Sequence, residues 1–202
     1  MKALLEDLVG LLAPPRCAGC DEPAPGVFCP SCKALLDPAP SPNALFNYGG
    51  PIADAIHRLK YRDRSDLGAS LGTLMGEAAR RWAGRVDAVV PVPLHWRRRR
   101  ARGYDQAALL ARPIAKSLEV PALVRGLRRV RNTPQQVDLP HEARQRNVAG
   151  AFVPGRLRSA SRALLIDDVK TTGATLRAAS KALASGGVDE IHELVLAVRL
   201  LV

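Results

Sequence analysis

Asp167 and Asp168 stand side by side after the apolar run 163–166, and Lys170, Thr171, Thr172, Gly173, Ala174 and Thr175 follow within a few positions. That order of residue types suits one chemistry. Backbone N–H groups at the start of a helix, reinforced by its dipole, bind phosphate. Gly173 lets the chain close around an anion, while the hydroxyls of Thr171, Thr172 and Thr175 can donate hydrogen bonds. Carboxylates should not touch that phosphate. Placed just ahead of it, they can grip sugar hydroxyls or hold a divalent cation through oxygen ligands. The stretch "LLIDDVKTTGATL" therefore predicts a phosphorylated ribose, with its diol on Asp167 and Asp168 and its 5′-phosphate among the amides of residues 171–175.

A second constellation lies near the start. The chain's four cysteines are Cys17, Cys20, Cys29 and Cys32, two CxxC pairs eight residues apart. Each pair can present two thiolates from a tight turn, and four complete the tetrahedron of a structural zinc ion. Two disulfides are the competing reading, and the better one in a small secreted domain. No small-residue cleavage site follows "MKALLEDLVGLLA", and Glu6 and Asp7 interrupt its apolar segment. Its leucines instead mark one face of an amphipathic helix. Reduced thiols, zinc and a cytoplasmic location are the expectations. A four-thiolate site leaves no open position for water, so this metal is a staple and not a catalyst.

The elements that position these groups follow from periodicity. Half of the chain's 16 prolines lie within residues 1–42, where regular structure is scarce, and a composition shift near residue 43 separates that module from residues 43–202. Beyond it come a short apolar stretch at 43–50, helical patterns over 51–61 and 64–82, and the β-branched run "VDAVVPVPL", stopped by Pro91 and Pro93. A helix at 104–118, a strand at 122–127, an irregular stretch at 130–150, a strand at 163–167, a helix at 174–185 and a strand at 190–198 complete the reading. This alternation predicts an α/β fold with a mostly parallel sheet and helices on both faces. Ligands then sit beyond the carboxyl ends of the strands, where Asp167 and Asp168 fall. No window is apolar enough to span a membrane.

Charge adds a further expectation. The net charge is +11, and residues 97–131 carry eleven basic residues against Asp105 and Glu119. Such a concentration attracts polyanions with salt-sensitive affinity. Trp96 and Tyr104 flank the run Arg97, Arg98, Arg99 and Arg100, and aromatic faces can stack unpaired bases of single-stranded DNA. The bland reading is a composition rich in arginine, with Trp96 simply packed. His57, His95, His141 and His192 have no spacing that suggests a metal site.

The stretch "LLIDDVKTTGATL" resembles the phosphoribosyl pyrophosphate loop of type I phosphoribosyltransferases. With "PPRCAGC" and "CPSC", "IHRLKY", "PVPLHWRRRRARGYDQAALLA" and "TPQQVDLPHEARQRNVAGAF", the chain is similar in block order to the ComF family, the competence-associated branch of that superfamily. The resemblance implies a ligand, phosphoribosyl pyrophosphate or ribose 5-phosphate, and a pyrophosphate loop at "VVPVPL" with Val92, Pro93, Leu94 and Arg98. It also implies a mobile catalytic loop around residues 133–148 that includes Gln135, Gln136, Arg144 and Asn147. In members that do chemistry, displacement at ribose C1 involves the acid pair, while Mg2+ and cations such as Arg98, Arg102 and Arg144 stabilise departing pyrophosphate. Incoming single-stranded DNA and a DNA-translocating helicase are the partners it implies; an active enzyme without a DNA role is the alternative. No glutaminase region is recognisable.

Two positions depart from the family pattern. Asp105 stands where an asparagine is usual, and its charge is expected to weaken any pyrophosphate contact made there. Lys170 occupies a position that is often apolar or aromatic, and it either adds positive charge near the ligand or points to solvent.

Overall fold

The computed structural model describes residues 15–132 and 148–199. The helical pattern at residues 1–13 lies outside them, as do Gln135, Gln136, His141, Arg144 and Asn147.

The sheet is all parallel. Strands β1 (Ala44–Asn47), β2 (Ala88–Pro91), β5 (Arg162–Lys170) and β6 (Glu190–Val198) lie in the order β1-β6-β5-β2. Registers such as Val90 opposite Leu165 and Asp167 opposite Val195 align the strand ends that carry the acid pair. Two further strands, β3 (Leu127–Arg129) and β4 (Phe152–Pro154), pair antiparallel outside this sheet.

Strand β5 shows why the sheet is covered on both faces. Residues 163–166 are wholly buried, and a strand turns successive side chains to opposite faces. Leu164 and Ile166 join one core, with α2 (Gly50–Tyr61), α3 (Leu67–Ala79) and α5 (Gln106–Ser117). Ala163 and Leu165 join the other, against α6 (Ala174–Ser185) and Phe152. Burying each such leucine or isoleucine contributes about 1.5–3 kcal/mol. Helices α3 and α5 approach closely through Gly68, Gly72 and Gly76; a Cβ at Gly72 would lie 2.7 Å from the Leu110 carbonyl oxygen.

One sequence expectation needs correction and one element was missed. The helix expected at 104–118 is α5, and a shorter helix precedes it. Helix α4 (Trp96–Arg102) stops at Gly103, whose φ of +85° forms a left-handed cap, and Asp105 then caps α5. The strand expected at 122–127 is displaced to β3. Ala122 makes a single parallel bridge to Val89, and the chain then turns, with the Gly126 amide donating to the Leu123 carbonyl at 2.8 Å.

The cysteine segment contains only one short helix among the described residues, α1 (Pro30–Ala34). It docks on α2: Arg58 donates to the carbonyls of Ala18 (3.1 Å) and Gly19, and Arg64 pairs with Asp21.

Candidate functional site

A cleft of about 380 Å3 opens beyond the C-terminal ends of β2 and β5. Asp167, Asp168, Thr171 and Thr175 line it together with Val92, Pro93, Leu94, Arg98 and Arg102. Thus the acid pair and the "PVPL" segment, far apart in sequence, meet as expected from the topology.

The turn after β5 is where the sequence places the anion cradle. Gly173 adopts φ +74°, in the left-handed region, and serves as the N-cap of the 12-residue helix α6. A helix start leaves its first N–H groups without intrahelical acceptors. Thr172 Oγ1 accepts from the Ala174 amide at 3.3 Å, and Arg177 donates to the Thr172 carbonyl at 2.8 Å, which pins the loop. Thr172, Gly173 and Ala174 therefore shape the cradle through the backbone. Lys170 lies against this turn, its Cε 3.1 Å from the position of a Cβ at Gly173, and its ammonium pairs with Glu193 on β6 at 3.1 Å.

One oxygen of each carboxylate of the acid pair is engaged within the protein. Asp168 is buried, its Oδ1 accepts from Lys60 Nζ at 2.8 Å, and its Oδ2 is buried without a hydrogen-bond partner among the described residues. Asp167, half-buried, accepts the Asp168 amide on Oδ1 at 2.8 Å. Burial and the Asp168 charge push the Asp167 carboxyl up to about 8, against a partial offset from Lys60. Burial alone would lower Lys60, but the carboxylates of Asp168 and Asp167 outweigh it and the ammonium is held charged.

A pH prediction follows. Native Asp167 keeps a proton that the unfolded chain loses near pH 4. The native state therefore binds more protons than the unfolded state between about pH 4 and 8, and this group's contribution to stability falls as pH rises through that window. Urea unfolding at pH 5 and pH 8.5 should show Asp167→Asn gaining stability relative to the parent at the higher pH. An identical pH slope in both proteins would contradict the assignment.

Asp105 Oδ2 accepts from the Leu94 amide at 2.8 Å and its Oδ1 from the Ala108 amide at 3.4 Å. Burial raises its carboxyl first, and these amides oppose that shift. The side chain joins the strand-end loop to α5. Arg102 donates to Gln106 and its guanidinium lies 5.4 Å from the Tyr61 ring centroid, within the cleft wall.

The arginine run divides by face. Arg98 and Arg102 line the cleft, whereas Arg97, Arg99 and Arg100 are exposed around Trp96, which is 58% exposed and has the Arg97 guanidinium 5.4 Å from its ring centroid. Tyr104 leaves this group. Its hydroxyl donates to the Leu59 carbonyl at 2.6 Å and its ring packs against the core, so Trp96 is the aromatic surface beside the exposed arginines. His95 is buried and caps α4, its Nδ1 accepting the Arg97 amide at 3.4 Å.

Sequence reasoning missed Lys60, Tyr61, Arg129 and Arg199, which also line the cleft. One signal was present: Lys60 follows Ile56 by one helical turn, on the face of α2 that is otherwise apolar.

The four cysteines cluster with all sulfurs within 4.8 Å of one another, and none is in a disulfide. Four sulfurs 2.3 Å from one ion lie about 3.8 Å apart, and Cys20 Sγ and Cys29 Sγ are separated by 3.7 Å. Amides of Cys29 and Cys32 donate to Cys17 Sγ (3.2 Å) and Cys29 Sγ (3.4 Å). Burial pushes the Cys17 thiol up, but amides of Cys20, Cys29 and Gly19 outweigh it and bring it down to about 6; burial and neighbouring thiols push Cys32 up to about 12. The cluster could hold a metal ion such as zinc.

No helix among the described residues is long and apolar enough to cross a membrane. No protein-family model matches the chain. It is 34% identical over 155 residues to Competence protein F of Haemophilus influenzae, covering 72% of this chain and 67% of that protein. It is 32% identical over 183 residues to DNA utilization protein YhgH of Salmonella typhimurium, covering 87% and 81%. Competence protein ComFC of Bacillus subtilis is 26% identical over 147 residues, covering 71% and 58%. Among structures, the glutamine phosphoribosylpyrophosphate amidotransferase of B. subtilis complexed with ADP and GMP aligns with a TM-score of 0.47 and 20% identity over 69% of this chain and 30% of that one. On identity and coverage, the chain belongs to the ComF family of competence and DNA utilization proteins.

Proposed function

We propose that this chain is a ComF-type, phosphoribosyltransferase-like protein that binds phosphoribosyl pyrophosphate or ribose 5-phosphate and takes part in handling incoming single-stranded DNA during natural competence. The observation that carries the ligand reading is the β5–α6 junction. There the buried Oδ2 of Asp168, without a partner among the described residues, precedes a left-handed Gly173 and the start of a 12-residue helix. In this reading the phosphate sits on the amides of residues 171–175, and a ribose hydroxyl donates to Asp168. Arg98 and Arg102 face the diphosphate, where guanidinium forks suit phosphate oxygens. Arg144, outside the described residues, completes that set in the family reading.

The acid pair is a poor direct site for Mg2+, since one Asp168 oxygen already holds an ammonium and Asp167 tends to keep its proton. A divalent ion that enters with the diphosphate is carried by the ligand. Zinc suits the four-thiolate set as a structural ion within the module of residues 1–42, followed by the ligand-binding domain of residues 43–202. A thiolate centre of this kind fits a reducing, cytoplasmic location. The names of the relatives support the DNA role, as does exposed Trp96 among Arg97, Arg99 and Arg100. A DNA-translocating helicase is the protein partner that this role implies.

The test has two arms. Phosphoribosyl pyrophosphate at a hundredfold excess over its Kd should stabilise the native state by about 2.7 kcal/mol, a rise in Tm of about 5–10 °C for a chain of this size. Labelled single-stranded oligonucleotide should bind with steep salt dependence, lost when Arg97, Arg99 and Arg100 become serine. Absence of thermal protection at millimolar ligand overturns the pocket assignment, and salt-insensitive or absent oligonucleotide binding overturns the DNA role. Pyrophosphate release with added nucleophiles would identify the chain as an active transferase.

A further inference from the structure

Lys60 reaches the cleft from the last turn of α2, and its aim is fixed from both sides. Two residues before it, Arg58 is tied to the carbonyls of Ala18 and Gly19, and the neighbouring Leu59 carbonyl accepts the Tyr104 hydroxyl at 2.6 Å. The ammonium stands 2.8 Å from Asp168 Oδ1, with the lysine side chain 20% and the aspartate side chain 5% exposed. An interaction so enclosed differs from a surface ion pair, whose partners exchange freely with water.

Two adjacent carboxylates at a sugar-phosphate cleft ordinarily invite a divalent cation, because oxygen donors and accumulated negative charge favour one. Here the cation is supplied by the chain. We propose that the Lys60 ammonium takes the place of a divalent cation at the acid pair, so that the cleft binds a ribose phosphate without Mg2+. One N–H of the ammonium is used on Asp168 Oδ1, which leaves donors for a sugar hydroxyl. Asp168 Oδ2, buried and unpartnered among the described residues, accepts from another. A divalent ion on the same carboxylate would lie against this ammonium, and like charges in an enclosed site repel strongly. Lys60 is therefore a positioning residue that holds the Asp168 carboxylate in place. The inference rests on the sugar-phosphate reading of the cleft.

Isothermal titration with ribose 5-phosphate tests it, in buffer freed of divalent ions over chelating resin so that the cysteine cluster is left intact, and again with added MgCl2. The parent protein should bind with unchanged Kd in both buffers. Lys60→Met should weaken binding by about tenfold or more without metal, the scale of one lost charge-assisted hydrogen bond, and Mg2+ should restore part of that loss. A parent protein that binds only with Mg2+ overturns the role of Lys60 and leaves the ligand site standing; this arm needs no variant to fold. A Lys60→Met protein that is folded by circular dichroism and binds like the parent in metal-free buffer also overturns it. No binding of the parent in either buffer sinks the sugar-phosphate reading itself.

Discussion

Replacing Gly173 by valine lowers affinity for ribose 5-phosphate by at least about 100-fold, because the substitution moves the backbone amides and not a side chain. At φ +74° a residue with a Cβ is strained by about 1–2 kcal/mol, and a β-branched one by more. The new Cβ would meet Arg177 Nη1 at 2.9 Å and Lys170 Cε at 3.1 Å. Both are ends of flexible side chains that can swing aside, so the strain resides in the backbone. Relief comes from rotating φ to negative values, which turns the N–H groups of the cradle away from the anion. Each charge-assisted hydrogen bond lost costs about 1.5–3 kcal/mol, and two of them exceed a factor of 100. Global stability changes much less, with Tm falling by about 2–8 °C. Calorimetric titration beside a thermal melt checks both numbers, and an affinity equal to the parent's would mean that the phosphate is held elsewhere.

On the proposal that the cysteine cluster holds zinc, serine at both Cys17 and Cys32 abolishes metal binding and unfastens the N-terminal segment. Both cysteines are buried, and the segment around them has only a small cluster of apolar contacts of its own. A structural zinc ion supplies on the order of 10 kcal/mol to such a segment, far beyond what these contacts replace. Metal analysis should fall from one equivalent to none, and trypsin should cut faster near Arg16 and Lys33 than it does in the parent. The effect travels further. Ala18 belongs to the main core and its carbonyl accepts from Arg58 on α2, the helix that also carries Lys60. The double variant therefore loses ribose phosphate affinity although no cysteine lines the cleft. Undiminished protease resistance in a metal-free protein would contradict the stapling role.

Much of this arrangement was legible in the sequence because it is local. The apolar run 163–166 predicted the buried part of β5, and the turn chemistry of Thr172, Gly173 and Ala174 marked the start of α6 within one residue. The break between α4 and α5 was legible too, but overlooked: Gly103 is a helix-stop residue and Asp105 a capping one, two positions apart. What could not be read depends on contacts between distant segments. Asp105 looked like a charge beside the ligand, yet it holds the Leu94 amide. Tyr104 looked like the end of an aromatic stripe, yet its hydroxyl is fixed on Leu59. Lys60 and Asp168 are joined only when α2 packs on the sheet, and no periodicity in either segment announces that pairing. The strand at β3 was misplaced because Pro121 and Gly126 bracket the short apolar run 122–124 and the chain turns there, leaving one bridge at Ala122.

The central claim is that the amides between Thr171 and Thr175 hold the phosphate of a ribose ester. A crystal structure with saturating ribose 5-phosphate tests it most directly. The expected density has phosphate oxygens about 2.9 Å from those amides, with a sugar hydroxyl on Asp168 Oδ2 and the Lys60 ammonium retained on Oδ1. Density for the ester anywhere else, or a hollow at the β5–α6 junction left vacant at saturation, would contradict the assignment.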